Sequence, residues 1–111
     1  MNLEQLNENR IEQALIKLSS TDKVHADLEG QVKYLTEGIK QAKAHSFLLA
    51  EGTVAERNAK AEISLKTADA VDAHLRAFVA FTTLENERNH EIRVIDIWRT
   101  LSSNRRQGNI L

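Results

Sequence analysis

Residues 53–106 read TVAERNAKAEISLKTADAVDAHLRAFVAFTTLENERNHEIRVIDIWRTLSSNRR, without one glycine or proline. Proline breaks a helix and glycine loosens one by about 1 kcal/mol, so the stretch predicts a single helix, roughly 75 Å long at 1.5 Å per residue. Its start is marked twice. Glu51-Gly52 reads as a turn, and Thr53 followed by Glu56 is a capping box, in which the Thr53 hydroxyl accepts from the Glu56 amide and the carboxylate reaches back. The apolar line along it is Ala61, Leu65, Ala68, Leu75, Phe78, Val79 and Thr82. A chain of 111 residues cannot enclose so long a helix, so the stripe must be covered by a partner segment, by copies of the chain, or by both.

Upstream of the turn, Val24, Leu28, Val32, Leu35, Ile39, Ala42 and Leu49 recur at helical spacing and predict a helix over residues 22–51. Gly30 and Gly38 interrupt it, either weakening the helix or letting another backbone approach. Before it, Ser19-Ser20-Thr21-Asp22 reads as a break, which leaves residues 1–19 as a short N-terminal helix capped by Asn2, with Leu3, Leu6, Ile11, Ala14, Leu15 and Leu18 on one side. A short turn between long helices folds them back on each other. The predicted fold is all-α: a single domain over 1–111, built as a long, coiled-coil-like antiparallel hairpin of helices 22–51 and 53–106. The short helix precedes it, residues 107–111 fray after Gly108, and the whole assembles as a homo-oligomer.

Two features of the last third bear on function. Residues 85–91 (Glu85-Asn86-Glu87-Arg88-Asn89-His90-Glu91) are all polar, so the apolar seam lapses, and a solvated continuation of the helix is the favoured reading. Beyond them, Val94, Ile97, Trp98 and Leu101 stand at i, i+3, i+4 and i+7, and Ile92 and Ile95 widen the arc enough to touch two neighbours. That width makes Val94, Ile95, Trp98 and Leu101 the candidate oligomer interface. Charge is uneven as well. Residues 1–51 carry 6 basic and 8 acidic groups, 52–91 carry 5 and 7, and 92–111 carry 4 and 1, for nets of −2, −2 and +3. The four basic groups at the end are Arg93, Arg99, Arg105 and Arg106, candidates for contact with phosphates. The bland reading gives Arg105 and Arg106 to the helix dipole and makes Trp98 a packing anchor, which is the favoured role for Trp98. Lys33, Lys40 and Lys43 form a weaker basic line, best explained as a solvated face.

Other classes of function find little support. His25, His45, His74 and His90 are scattered, and no Ser/His/Asp or paired-carboxylate arrangement is readable. Glu87-Arg88-Asn89-His90 matches one Glu-x-x-His element where a di-iron bundle needs two and two further Glu. No glycine-rich phosphate loop occurs, and with no cysteine there is no disulfide or thiolate chemistry. No apolar run is long enough to span a membrane, and Met1-Asn2-Leu3-Glu4-Gln5 lacks the pattern of a signal peptide. The expectation is a cytoplasmic, non-enzymatic protein with no cofactor, no metal and no small-molecule substrate.

Ala55-Glu56-Arg57 opening a long helix, followed by Ile95-x-x-Trp98-Arg99-Thr100-Leu101-x-x-Asn104-Arg105-Arg106, resembles small helical bacteriophage proteins of the UvsY-type recombination mediators. The resemblance covers about residues 34–108. It implies a helical-hairpin protomer in a ring-like homo-oligomer in the host bacterium's cytoplasm. Such a protein binds single-stranded DNA and helps load a recombinase onto DNA coated by single-strand-binding protein. Trp98 matches the hydrophobic anchor, and Arg99, Arg105 and Arg106 match the basic terminus. The competing class is a coiled-coil interaction protein, either a virion-assembly scaffold or an inhibitor of a host protein.

Overall fold

The computed structural model describes residues 6–108. The predicted cap Asn2, its neighbour Leu3 and tail residues 109–111 lie outside them. Three helices follow in order: α1 (Glu8–Leu49), α2 (Val54–Glu62) and α3 (Leu65–Arg106). The two long helices pack antiparallel with the short one between them, as the hairpin reading requires. Two boundaries differ from those expected, and both have a side-chain cause.

α1 is one helix, and the predicted break at Ser19-Ser20-Thr21-Asp22 does not occur. From Glu8 on, the predicted separate helix is therefore the first part of α1, and Asn7 caps it, its Oδ1 accepting from the Arg10 amide at 2.9 Å. Serine and threonine disfavour helix interiors when their hydroxyls compete for the backbone. Here they bond along the helix instead: Ser20 Oγ donates to Lys17 O at 3.2 Å and Thr21 Oγ1 to the same carbonyl at 2.6 Å. Gly30 and Gly38 also sit inside α1, and a Cβ built at either meets nothing within 4 Å, so neither admits a close backbone. Replacing both with alanine should raise stability by about 1–2 kcal/mol in total, read as an upward shift in the midpoint of a denaturant melt.

The helix predicted for 53–106 is interrupted at Ile63 and Ser64, with no glycine or proline involved. Ser64 supplies the signal: its Oγ accepts from the Thr67 amide at 3.1 Å and caps α3. The hydroxyls then form a chain. Ser64 Oγ donates to Thr67 Oγ1 at 2.9 Å, and buried Thr67 donates to Ala61 O at 2.8 Å, a carbonyl at the end of α2 that also accepts from the Ser64 amide at 3.4 Å. Since Ser64 has given up its proton, Ser46 of α1 is the donor in the 2.8 Å contact between the two serines. The predicted capping box at Thr53 is present in its main bond, Glu56 N to Thr53 Oγ1 at 3.2 Å, while the return contact runs from the Thr53 hydroxyl to Glu56 Oε1. The turn itself uses Gly52 at φ +119°, where a Cβ would fall 2.6 Å from Glu56 Oε2. Arg57 ties α2 back to α1, its Nε donating to Phe47 O and its guanidinium lying 4.1 Å over the Phe47 ring.

Contacts group the described residues into two compact units, residues 6–25 with 83–108, and residues 26–82. Among the covered positions, a series on α1 runs Ile11, Ala14, Leu18, Thr21, His25, Leu28, Val32, Leu35, Ile39, Ala42 and Ser46, and one on α3 runs Thr67, Ala70, His74, Ala77, Phe81, Leu84, Arg88, Glu91, Ile95, Trp98 and Ser102. Both series alternate steps of three and four, the heptad spacing of a coiled-coil seam. On α3 this is not the stripe the apolar pattern indicated. Leu75, Phe78 and Val79 are about half exposed, and the small residues Ala70 and Ala77 take the inner positions.

The helix continues through the polar stretch 85–91 as expected, but its inward side is paired with α1 within the first unit while Asn86, Asn89 and His90 stay exposed. Arg10 grips Glu91 at two points: Nη2 donates to Oε1 at 3.1 Å, and Nη1 lies 2.8 Å from Oε2, too oblique for a hydrogen bond but a close ion pair. Lys17 meets Glu87 at 3.4 Å, and His25 Nε2 is 3.6 Å from Glu85. Arg88 is the centre of this layer. Its Nη1 donates to Leu18 O at 2.7 Å and to Thr21 Oγ1 at 2.8 Å, while Nη2 reaches Asp22 at 3.3 Å. At the covered positions Arg88 and Glu91 the apolar seam is replaced by a bonded polar one, while Lys17, Glu85 and Glu87 at its margin remain partly in solvent.

Candidate nucleic-acid interface

The last four turns of α3 carry the candidate residues, and burial separates them into two groups. Val94 is 1% exposed and Ile95 9%, both covered within the protomer's own first unit. This corrects their assignment to an oligomer interface: the arc from Ile92 to Leu101 is wide because its centre packs inside the chain. Trp98 and Leu101 are half-buried, which suits the packing-anchor reading of the indole, and Ile92 stays exposed.

Arg93, Arg99, Arg105 and Arg106 are all exposed. The eight arginines of the chain differ in what holds them. Arg10 holds Glu91, Arg57 holds Phe47, Arg76 pairs with Asp72, and Arg88 holds Leu18, Thr21 and Asp22. By contrast, Arg93, Arg105 and Arg106 have no partner among the described residues, and Arg99 stands 3.9 Å from Asp96 with most of its side chain in solvent. At about 100° per residue, Arg99 and Arg106 lie within about 20° of one another on the helix surface, while Arg93 and Arg105 fall on other sides. The set is a basic end with one two-arginine stripe. Gly108, at φ +80°, closes the helix just beyond it, its amide donating to Arg105 O at 3.1 Å.

The weaker basic line on α1 is neutralised in place. Lys33 pairs with Glu29, Lys40 with Glu37 and Lys43 with Glu62. Glu87, from the Glu-x-x-His element, is turned to Lys17. Among the described residues no three His, Cys, Asp or Glu side chains gather closely enough to hold a metal ion, and no helix is long and apolar enough to cross a membrane.

Sequence reasoning missed Arg10 and Arg88 as structural residues. The available signal was the three-and-four spacing of Leu84, Arg88, Glu91 and Ile95, which carries the seam straight through the polar stretch. Comparison with protein-family models, with curated proteins and with solved structures finds no match, so the reading of this basic end rests on its own chemistry.

Proposed function

We propose that the protein is a non-enzymatic, self-associating accessory factor that holds single-stranded DNA on the arginines at the end of α3, in the manner of a phage-type recombination mediator. The partition of the arginines carries this reading: Arg10, Arg57 and Arg88 are engaged inside the protein, Arg76 is an exposed residue paired with Asp72 along its own helix, and the four after residue 92 face solvent. A guanidinium without an internal partner is available for a phosphate, to which its fork of donors is matched. Self-association multiplies a patch of four charges by the number of subunits, turning a local net of +3 into an extended field. The exposed large apolar side chains, from Leu48 and Leu49 to Leu75 and Phe78, support an oligomer or a partner. A recombinase or single-strand-binding protein is the partner that the family resemblance implies.

The test is fluorescence anisotropy of a labelled single-stranded oligonucleotide. Binding is expected at about 50 mM salt, weakening with a slope of about −0.7 in log K against log salt for each phosphate engaged. No binding at that salt removes the reading. The same exposed apolar residues also favour a second reading, a coiled-coil scaffold or inhibitor docking on another protein. A stoichiometric protein partner recovered from nuclease-treated host lysate, together with no affinity for oligonucleotide, selects it.

A further inference from the structure

The stripe that sequence periodicity marked as the apolar seam of α3 is on the outside. Val71, Leu75, Phe78 and Val79 are 46–55% exposed, while alanines on an adjacent face pack against α1. The chain has thus placed its larger side chains away from its own partner helix, which is explained if something else covers them. Taking 100° per residue, this ridge is centred about 110° from the seam in one direction. About 90° in the other direction lies a groove of about 360 Å³, lined by Leu28, Gln31, Leu35, Ala73, Ala77 and Ala80 with Arg76 at its margin. Ridge and groove therefore occupy nearly opposite flanks of the same helix, at the same level, within the second unit.

We infer that the groove receives the ridge of a second copy of this chain, so that protomers pack side by side and head to tail. Size favours this pairing over ridge against ridge, because large side chains interdigitate with small ones but hold each other apart. Area agrees: the ridge exposes roughly 400 Å² of apolar surface, in the range of patches that are commonly functional. The groove is the smaller of the two surfaces, so the ridge supplies most of the apolar contact. Charge raises no objection. Arg76, the charged residue at the groove, is paired with Asp72 on its own helix. Since the two surfaces differ, the contact is heterologous and repeats from copy to copy, closing into a ring if the rotation allows. The inference rests on the self-association proposed above and not on the DNA reading.

Two variants of the full chain test it by sedimentation equilibrium: Leu75→Glu, which spoils the ridge, and Ala80→Glu, which spoils the groove. Wild type should be larger than a monomer at about 100 µM, and each variant alone a monomer. An equimolar mixture should recover a 1:1 dimer and nothing larger, through the one intact ridge and the one intact groove. Oligomeric variants would place the contact elsewhere and overturn the inference while leaving self-association standing. A monomeric wild type overturns both and leaves the ridge to a foreign helix. Because the chain has no cysteine, cross-linking provides a check that does not depend on charge insertion. Leu75→Cys/Ala80→Cys should give a ladder of disulfide-linked species where Leu75→Cys alone gives none; a dimer from Leu75→Cys alone means ridge meets ridge and contradicts the proposal.

Discussion

Arg88→Ala is expected to cost about 3 kcal/mol, the largest loss of any single side chain in the polar layer. The Arg88 side chain is 14% exposed, bonds the Leu18 carbonyl and the Thr21 hydroxyl, and pairs with Asp22. Truncation removes charge-assisted bonds and leaves a gap at the seam, where neither water nor the neighbouring side chains restore both. With about 4 °C per kcal/mol for a chain of this size, the thermal midpoint should fall by roughly 12 °C. Lys17→Ala is the control. Its pair with Glu87 is half exposed on both sides, and exposed pairs contribute about 0–1 kcal/mol. A double variant, Thr21→Val with Arg88→Leu, should regain most of the loss, because replacing both members of a buried polar contact by apolar ones is often neutral. Equal effects for Arg88→Ala and Lys17→Ala would show that the polar layer is solvated, as the sequence alone had suggested.

The second large effect concerns the basic end. Arg99→Ala with Arg106→Ala removes the two arginines that share a face. At a slope of about −0.7 per contact, losing two contacts weakens binding to single-stranded DNA on the order of 60-fold at about 50 mM salt. The deficit should shrink as salt rises and vanish toward 1 M, since counterion release is its source. Stability should hardly move, because neither arginine has a close internal partner. A loss of affinity that persists at high salt, or that tracks a lower melting temperature, would assign these residues a structural role instead.

How much of this was readable in advance differs by element. The hairpin was legible because its punctuation is local: Gly52 for the turn, Thr53 for the cap, Gly108 for the end. The continuity of α1 was not, because part of what holds Thr21 in a helix comes from Arg88, 67 residues away. The break before α3 was masked for a different reason. Ser64 and Thr67 do the work of a glycine or proline through a chain of hydroxyl bonds ending on Ala61. The seam of α3 was misread because apolar size was taken as the guide, and the helix turns Ala70 and Ala77 inward with Leu75 and Phe78 out. At the candidate site, the four arginines were visible as a charge asymmetry. That Arg10, Arg57 and Arg88 are engaged by other parts of the chain is a tertiary fact, and it changes the meaning of the asymmetry. Val94 and Ile95 illustrate the opposite case, an apolar arc read as an interface that turned out to be core.

Localisation of bound DNA tests the central claim most directly. An oligonucleotide carrying photoreactive pyrimidines, cross-linked to the wild-type protein and mapped by peptide mass, should attach to residues 92–108. Cross-links falling instead on the paired lysines of α1, around Lys33, Lys40 and Lys43, would contradict the assignment of the arginine end.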